Sequence, residues 1–193
     1  MPHAGPDDAQ VTSWAMAARD GDRAAATAFI RATQHHVQRF LTHLVNATEA
    51  EDLTQETYLR AMRSLRGFAG RSTARTWLLA IARRVAVDHI RALVVRPRVA
   101  DLDDWQSVAE SAGTGSQFED AIVLRQLLGG LDADRREAFV ATQVLGLSYA
   151  EAAEVCDCPV GTIRSRVARA RQDLVEAMAV RDSGPVRPLR AIS

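Results

Sequence analysis

Four arginines sit close together in the run CDCPVGTIRSRVARAR, Cys156 to Arg171. A guanidinium carries a permanent charge and five N–H donors in a planar fork, which suits phosphate oxygens and the acceptor edge of guanine. This is the chemistry of recognition, and it requires the arginines to stand on one rigid face. The segment just before them, Leu147 to Val155, is amphipathic, and together the two stretches read as short helices joined by a tight turn. Ser148 is placed to cap the first helix, with Glu151 three residues on closing a capping box. Asp157 suits a left-handed turn position, and Pro159 suits the first turn of the next helix. Val160, Ile163, Val167, Ala170 and Leu174 recur at helical spacing and should face inward. Arg164, Ser165, Arg166, Arg169 and Arg171 are then left outside. Small residues (Ala152, Ala153, Gly161) favour close packing at the helix crossing. A helix-turn-helix with arginines on its second helix is built to enter the DNA major groove. The blander reading is a helical hairpin with a solvated basic face.

Charge is unevenly distributed along the chain. All 24 basic residues are arginine and the net charge is zero. Residues 1–98 hold 14 Arg against 9 Asp plus Glu, whereas residues 99–131 hold one Arg against six acids. The distribution therefore allows a nucleic-acid partner that the total alone argues against. Hydrophobic residues make up 47%, enough for a packed core. No signal-like or membrane-spanning apolar stretch is evident, so a cytoplasmic protein without membrane insertion is expected. Cys156 and Cys158 lack further Cys or His ligands for a zinc site and read as small residues packing the turn. His3, His35, His36, His43 and His89 form no set with a nucleophile or metal. His35 and His36 read as helix surface. No catalytic residue, metal or cofactor is expected.

Nearly the whole chain reads as helix: Ala9–Arg19, Arg23–Val45, Asp52–Leu65 and Thr73–Leu93, with a polar break over Asn46–Glu51 and a loop over Arg66–Ser72. Periodicity stops between Arg98 and Gln117, where Asp101, Asp103, Asp104 and Glu110 surround Gly113 to Ser116. That composition predicts an acidic, flexible linker. A second unit starts near Phe118, with Ile122, Leu124, Leu127, Leu128 and Leu131 on one face. Asp132 should cap a helix reaching about Leu145. The expected fold is all-α: two small helical domains, 10–96 and 118–178, joined by a linker over 97–117 and followed by a disordered tail over 179–193.

In the first domain, DLTQETYLRAM (Asp52 to Met62) sets Asp52, Gln55, Glu56 and Arg63 along one helix face, with Tyr58, Ala61, Met62 and Leu65 as core. By itself such a stripe is solvated surface. The helix after it interleaves Arg75, Arg83, Arg84, Asp88 and Arg91 with Trp77, Leu78, Ile81, Val85 and Ile90. Basic groups beside aromatics suit single-stranded or distorted nucleic acid. Phe68 and Trp77 are read as core, leaving arginines and loop polar groups as candidate contacts.

DLTQETYLRAM, GFAGRSTARTWLLAIARRVAVDHIR, the acidic linker and GLSYAEAAEVCDCPVGTIRSRVARAR, in this order and spacing over about residues 10 to 176, resemble an extracytoplasmic-function sigma factor of the bacterial sigma-70 family. The resemblance implies an alternative sigma factor with region 2 binding core RNA polymerase and melting the promoter −10 element, and region 4 reading the −35 element. It implies core-polymerase contacts at Asp52, Gln55 and Glu56. It implies −10 contacts at Arg66, Arg71, Ser72, Thr73, Arg75 and Arg84, with the loop Gly67 to Thr73 capturing a flipped base. It implies −35 contacts at Thr162, Arg164, Ser165, Ala168 and Arg169. Core RNA polymerase, promoter DNA and an anti-sigma factor are the partners implied. One departure is Arg84, where the family commonly has Asn; Asp88 lies four residues along, within ion-pair reach. The rival reading is a one-component regulator binding operator DNA without polymerase.

Overall fold

The computed structural model describes residues 6–95 and 116–182, and every regular element among them is helical. The helices are α1 (Asp8–Arg19), α2 (Arg23–Leu44), α3 (Ala47–Ser64), α4 (Ala74–Val95), α5 (Ser116–Gly129), α6 (Ala133–Phe139), α7 (Tyr149–Cys156) and α8 (Val160–Asp182). A 3₁₀ turn, Leu65–Gly67, links α3 to the loop before α4, and a π-turn, Val140–Val144, extends α6.

Local chemistry accounts for most helix starts. Asp7, Asp22, Asn46 and Asp132 each place a side-chain oxygen on a first-turn N–H, satisfying donors that have no partner within the helix. The cap at Asn46 shrinks the expected polar break over Asn46–Glu51 to a single residue, so α3 begins five residues earlier than periodicity suggested. Ala50 is buried in that added stretch.

Helices α1 to α4 pack on one another, and α6, α7 and α8 form a second group. The expected linker lies outside the described residues except at Ser116 and Gln117, which already belong to α5. Helix α8 runs to Asp182, so the first residues of the expected tail are helical; the remainder lies outside the described residues. Leu128 and Leu131 are buried as expected, but Leu124 is exposed. The side chain of Ile122 is not among those described.

The two groups share one apolar core that runs from Val11 through Leu78 and Val85 to Val155, Ile163 and Ala170. Helix α4 packs against α7, and α2 touches α5, α6 and the π-turn. No helix among the described residues is long and apolar enough to cross a membrane.

Candidate nucleic-acid interface

The helix-turn-helix forms as its residues dictate. Ser148 and Glu151 make a reciprocal capping box: Glu151 N–H donates to Ser148 Oγ at 3.2 Å, and Ser148 N–H donates to a Glu151 carboxylate oxygen at 2.9 Å. Those bonds hold the Glu151 carboxyl below its ordinary range even though burial works the other way. Asp157 takes up the left-handed conformation at φ 50° and stops α7. Pro159 directly precedes the first helical residue of α8, and its carbonyl accepts from Thr162 N–H at 2.9 Å.

On α8, Ile163, Val167 and Ala170 are buried and Val160 and Leu174 are half-buried against the core. At 100° per residue, Thr162, Arg164, Ser165, Ala168 and Arg169 fall within an arc of about 160° on the opposite side. Arg164, Ser165, Ala168 and Arg169 are exposed, and Thr162 is half-exposed. The structure thus brings the five expected −35 residues onto one face. Arg166 departs from expectation: it is half-buried, bonded to Asp134 of α6, with its guanidinium 3.6 Å from Cys158 Sγ. Gly161 is exposed, with open space where a Cβ would stand, so nothing packs closely against it, whereas Ala152 and Ala153 are buried. Cys156 is buried and its thiol is pushed up by that burial, which keeps it protonated and inert.

In the amino-terminal half, the loop between the 3₁₀ turn and α4 is pinned from α1. Arg19 donates to the Phe68 carbonyl at 3.3 Å, and Ala74 N–H donates to Thr12 Oγ1 at 3.0 Å. Gly70, at φ +68°, lies against Met16, a backbone conformation that other residues adopt only under strain. Phe68 is buried on Trp77 with ring centroids 4.9 Å apart, as expected for core. Arg66 and Arg71 are exposed, Ser72 and Thr73 half-exposed.

The remaining −10 candidates lie on different sides of α4. Arg84 is exposed and shares a face with Thr73 and the half-exposed Trp77. Arg75 lies nine residues earlier, half a turn out of phase, and its guanidinium bonds Asp8 of α1 at 2.9 Å. The ion pair available to Arg84 from Asp88 is not formed. Asp88 instead accepts from Arg60 of α3 at 2.7 Å, and Arg60 also holds Glu56 at 2.7 Å.

On α3, Asp52, Gln55 and Arg63 are exposed and Glu56 is half-exposed on a common face, while Ala61 and Leu65 are buried. Leu59 stands in the middle of that polar stripe and is 53% exposed. The sequence held a signal for it, since Leu59 falls off the apolar stripe of its helix. Tyr58 is a core residue, hydrogen-bonded to Thr33 at 2.7 Å and pushed up to about 12 by burial. His36 is half-buried, not surface, and burial lowers its affinity for a proton.

Contacts between the halves were invisible to sequence reasoning. Arg83 of α4 bonds Glu137 of α6, whose side chain is 7% exposed. Burial pushes the Glu137 carboxyl above its usual range against the pull of Arg83. Burial likewise opposes the charge on Arg83, yet Glu137 holds that guanidinium above its ordinary value. Two turns before Arg83 on the same stripe, the Thr76 hydroxyl lies 2.8 Å from Thr73 Oγ1 and 3.5 Å from the Glu151 carboxylate.

Comparison with known proteins matches both halves. The family model for sigma-70 region 2 matches residues 29–94, and that for sigma-70 region 4 matches residues 121–174. The chain is 50% identical over 169 residues to the ECF RNA polymerase sigma factor SigC of Mycobacterium tuberculosis, covering 88% of this chain and 91% of that protein. It is 34% identical over 163 residues to the ECF RNA polymerase sigma-E factor of Escherichia coli K12, covering 79% of this chain and 85% of that one. Among solved structures, the sigma factor RpoE in complex with the anti-sigma factor NepR from Bartonella quintana aligns with a TM-score of 0.62 and 28% identity, over 78% of this chain and 94% of that one. CnrH, in complex with the cytosolic domain of CnrY, has a TM-score of 0.69 at 22% identity over 90% of this chain and 99% of that one, a likeness of fold.

Proposed function

The chain belongs to the sigma-70 family, among its extracytoplasmic-function members, and from that premise we propose how its residues divide the work of promoter recognition. As a sigma factor it binds core RNA polymerase and directs promoter-specific transcription initiation, a role carried out by binding. Region 2 occupies residues 10–96 and region 4 residues 118–178, with the acidic stretch 97–117 linking them. It works in the cytoplasm, where polymerase and promoter are found.

In region 4, Thr162, Arg164, Ser165, Ala168 and Arg169 read the −35 element from the major groove. The observation that carries this is their exposure on one face of α8, opposite the buried Ile163, Val167 and Ala170. In region 2, Arg66, Arg71, Ser72, Thr73 and Arg84 contact the −10 strand. Arg75 supports them by tying the start of α4 to Asp8. Asp52, Gln55 and Glu56 contact core polymerase, with Leu59 as the apolar anchor between them, the arrangement of a buried centre within a polar rim that stable interfaces favour. An anti-sigma factor is a third partner; Bartonella RpoE is solved with one.

Run-off transcription with core polymerase on a promoter library tests the reading. Transcripts that depend on this chain and on paired −35 and −10 elements support it; tight operator binding by the chain alone, with no effect on transcription, defeats it. For the polymerase contact, Asp52→Ala with Gln55→Ala should weaken core binding while leaving the melting curve unchanged, because both side chains are exposed.

A further inference from the structure

The outer face of α8 is bounded on both sides by side chains tied to the element beneath it. Measured from the middle of the stripe formed by Ile163, Val167, Ala170 and Leu174, Arg166 and Asp173 stand about 80° to one side and Arg171 about 70° to the other. Arg166 bonds Asp134, and Asp173 accepts from Arg135 at 2.7 Å, the two partners being neighbours on α6. Arg171 donates to the Gln143 side-chain oxygen on the π-turn at 2.8 Å. Thr162 and Arg169 border the first of these seams and Arg164 borders the second, so the five reading residues fill the arc between them.

The seams supply something the apolar contact does not. Burial of aliphatic surface is non-directional, whereas a hydrogen-bonded ion pair has a preferred distance and angle. At a side-chain radius of about 6 Å, a roll of about 20° carries a contacting group roughly 2 Å around the helix axis. A recognition site holds its groups to about 0.5 Å. The support under the seams is itself fixed: Asp132 caps α6, and Arg136 donates to the carbonyls of Gly129 at 3.1 Å and Leu131 at 3.0 Å. Exposed ion pairs add little to stability, so these bridges act on where α8 stands and not on whether it folds.

We propose that Arg166, Asp173 and Arg171, with Asp134, Arg135 and Gln143 beneath them, are positioning residues for −35 recognition. They fix the roll of α8 and thereby set how sharply its outer face discriminates between bases. The proposal rests on the reading of that face as the −35 contact, and adds to it residues that do not themselves touch a base. Arg166 is an inward tie rather than a sixth reader.

The test uses holoenzyme reconstituted with core polymerase, run-off transcription on promoters with each −35 base varied in turn, and thermal melting of the free factor. Arg135→Asp sets two carboxylates against each other and should reduce −35 discrimination about fivefold. Arg135→Asp combined with Asp173→Arg re-forms the pair with reversed polarity and should recover discrimination to within about twofold. Asp134→Asn should also flatten the profile while raising transcription from weak −35 sequences, because the freed Arg166 attracts phosphate whatever the base. Melting curves should stay unchanged in all three. A uniform fall in transcription with the profile kept reports only lost attraction to phosphate and overturns the proposal. So does a reversed pair no sharper than Arg135→Asp alone, or a flattened profile found only where the melting curve moves. If unaltered holoenzyme shows no −35 preference, the reading of α8 itself fails; a clear preference shared by every variant defeats the positioning alone.

Discussion

The arginines of the two halves stand in opposite states. On α8, Arg164 and Arg169 project into solvent, and no carboxylate among the described residues is paired with them. On α4, Arg75 is held by Asp8 and Arg83 by Glu137. The reading face of region 4 is complete within one stretch of chain, because a capping box, a left-handed Asp157 and an apolar stripe are all local devices. The charged surface of region 2 is assembled and partly neutralised by residues up to 67 positions away. Removing Arg164 or Arg169 from α8 should therefore touch only an outside partner, whereas removing Arg75 or Arg83 from α4 also changes the protein itself.

The largest effects are expected in the core. Ile163→Ala in α8 and Leu78→Ala in α4 each empty a fully buried site and should cost about 2–5 kcal/mol in urea denaturation. Because the apolar core runs through both halves, both variants should still unfold in one transition. Two separate transitions would show that the halves are stable independently and only touch.

The arginines come next. Arg83→Ala leaves the buried Glu137 without its partner and should cost roughly 1–3 kcal/mol of stability. Arg164→Ala and Arg169→Ala should stay within about 0.5 kcal/mol in the same melt. At least one of that pair should instead relax −35 specificity in holoenzyme transcription by roughly 1–3 kcal/mol of discrimination. If both lower transcription from every −35 variant equally, they position the helix on phosphates and read no base.

Arg84 gives a finer test, since it resembles the α8 arginines in being exposed although it lies on α4. With Asp88 committed to Arg60, Arg84→Asn should leave stability within about 0.5 kcal/mol. It should alter which base is preferred when all four are compared at each −10 position, because a donor-only guanidinium is replaced by a donor and acceptor. An identical profile would assign Arg84 to phosphate.

The smallest effect expected is one of pH and belongs to the amino-terminal half. His36 and His43 on α2 are partly buried, and desolvation lowers both from the ordinary 6.5. The unfolded chain then takes up protons more readily than the folded one. Stability is complete above about pH 6.5 and declines as pH falls toward the lowered values. Thermal midpoints between about pH 7 and 5.5 should fall slightly, and less so in His43→Gln. An equal fall in the variant would place the titrating group elsewhere.

Much of region 4 was legible because its signals span only a few residues. Ser148 with Glu151, Asp157, and the spacing of Ile163, Val167 and Ala170 each act within a turn or two of helix, where backbone geometry converts order in sequence directly into position in space. The same holds for the shared face of Asp52, Gln55 and Glu56 on α3 and for the core role of Phe68, on which the half-exposed Trp77 packs. The start of α3 was misplaced since polar residues over Asn46–Glu51 read alike as break or as solvated first turn, and only the Asn46 cap distinguishes them.

What the chain order determined, then, is which segments are helical, where the helix-turn-helix turns, and which side chains share a face. Tertiary structure alone decided the partners of those faces: that Asp88 goes to Arg60 and not Arg84, that Arg166 is drawn inward by Asp134, and that Glu137 closes on Arg83. Helical periodicity is a property of the backbone and repeats in every segment, so it can be read locally. An ion pair across two helices depends on where both are docked, and that is set by burial of apolar surface shared among all of them.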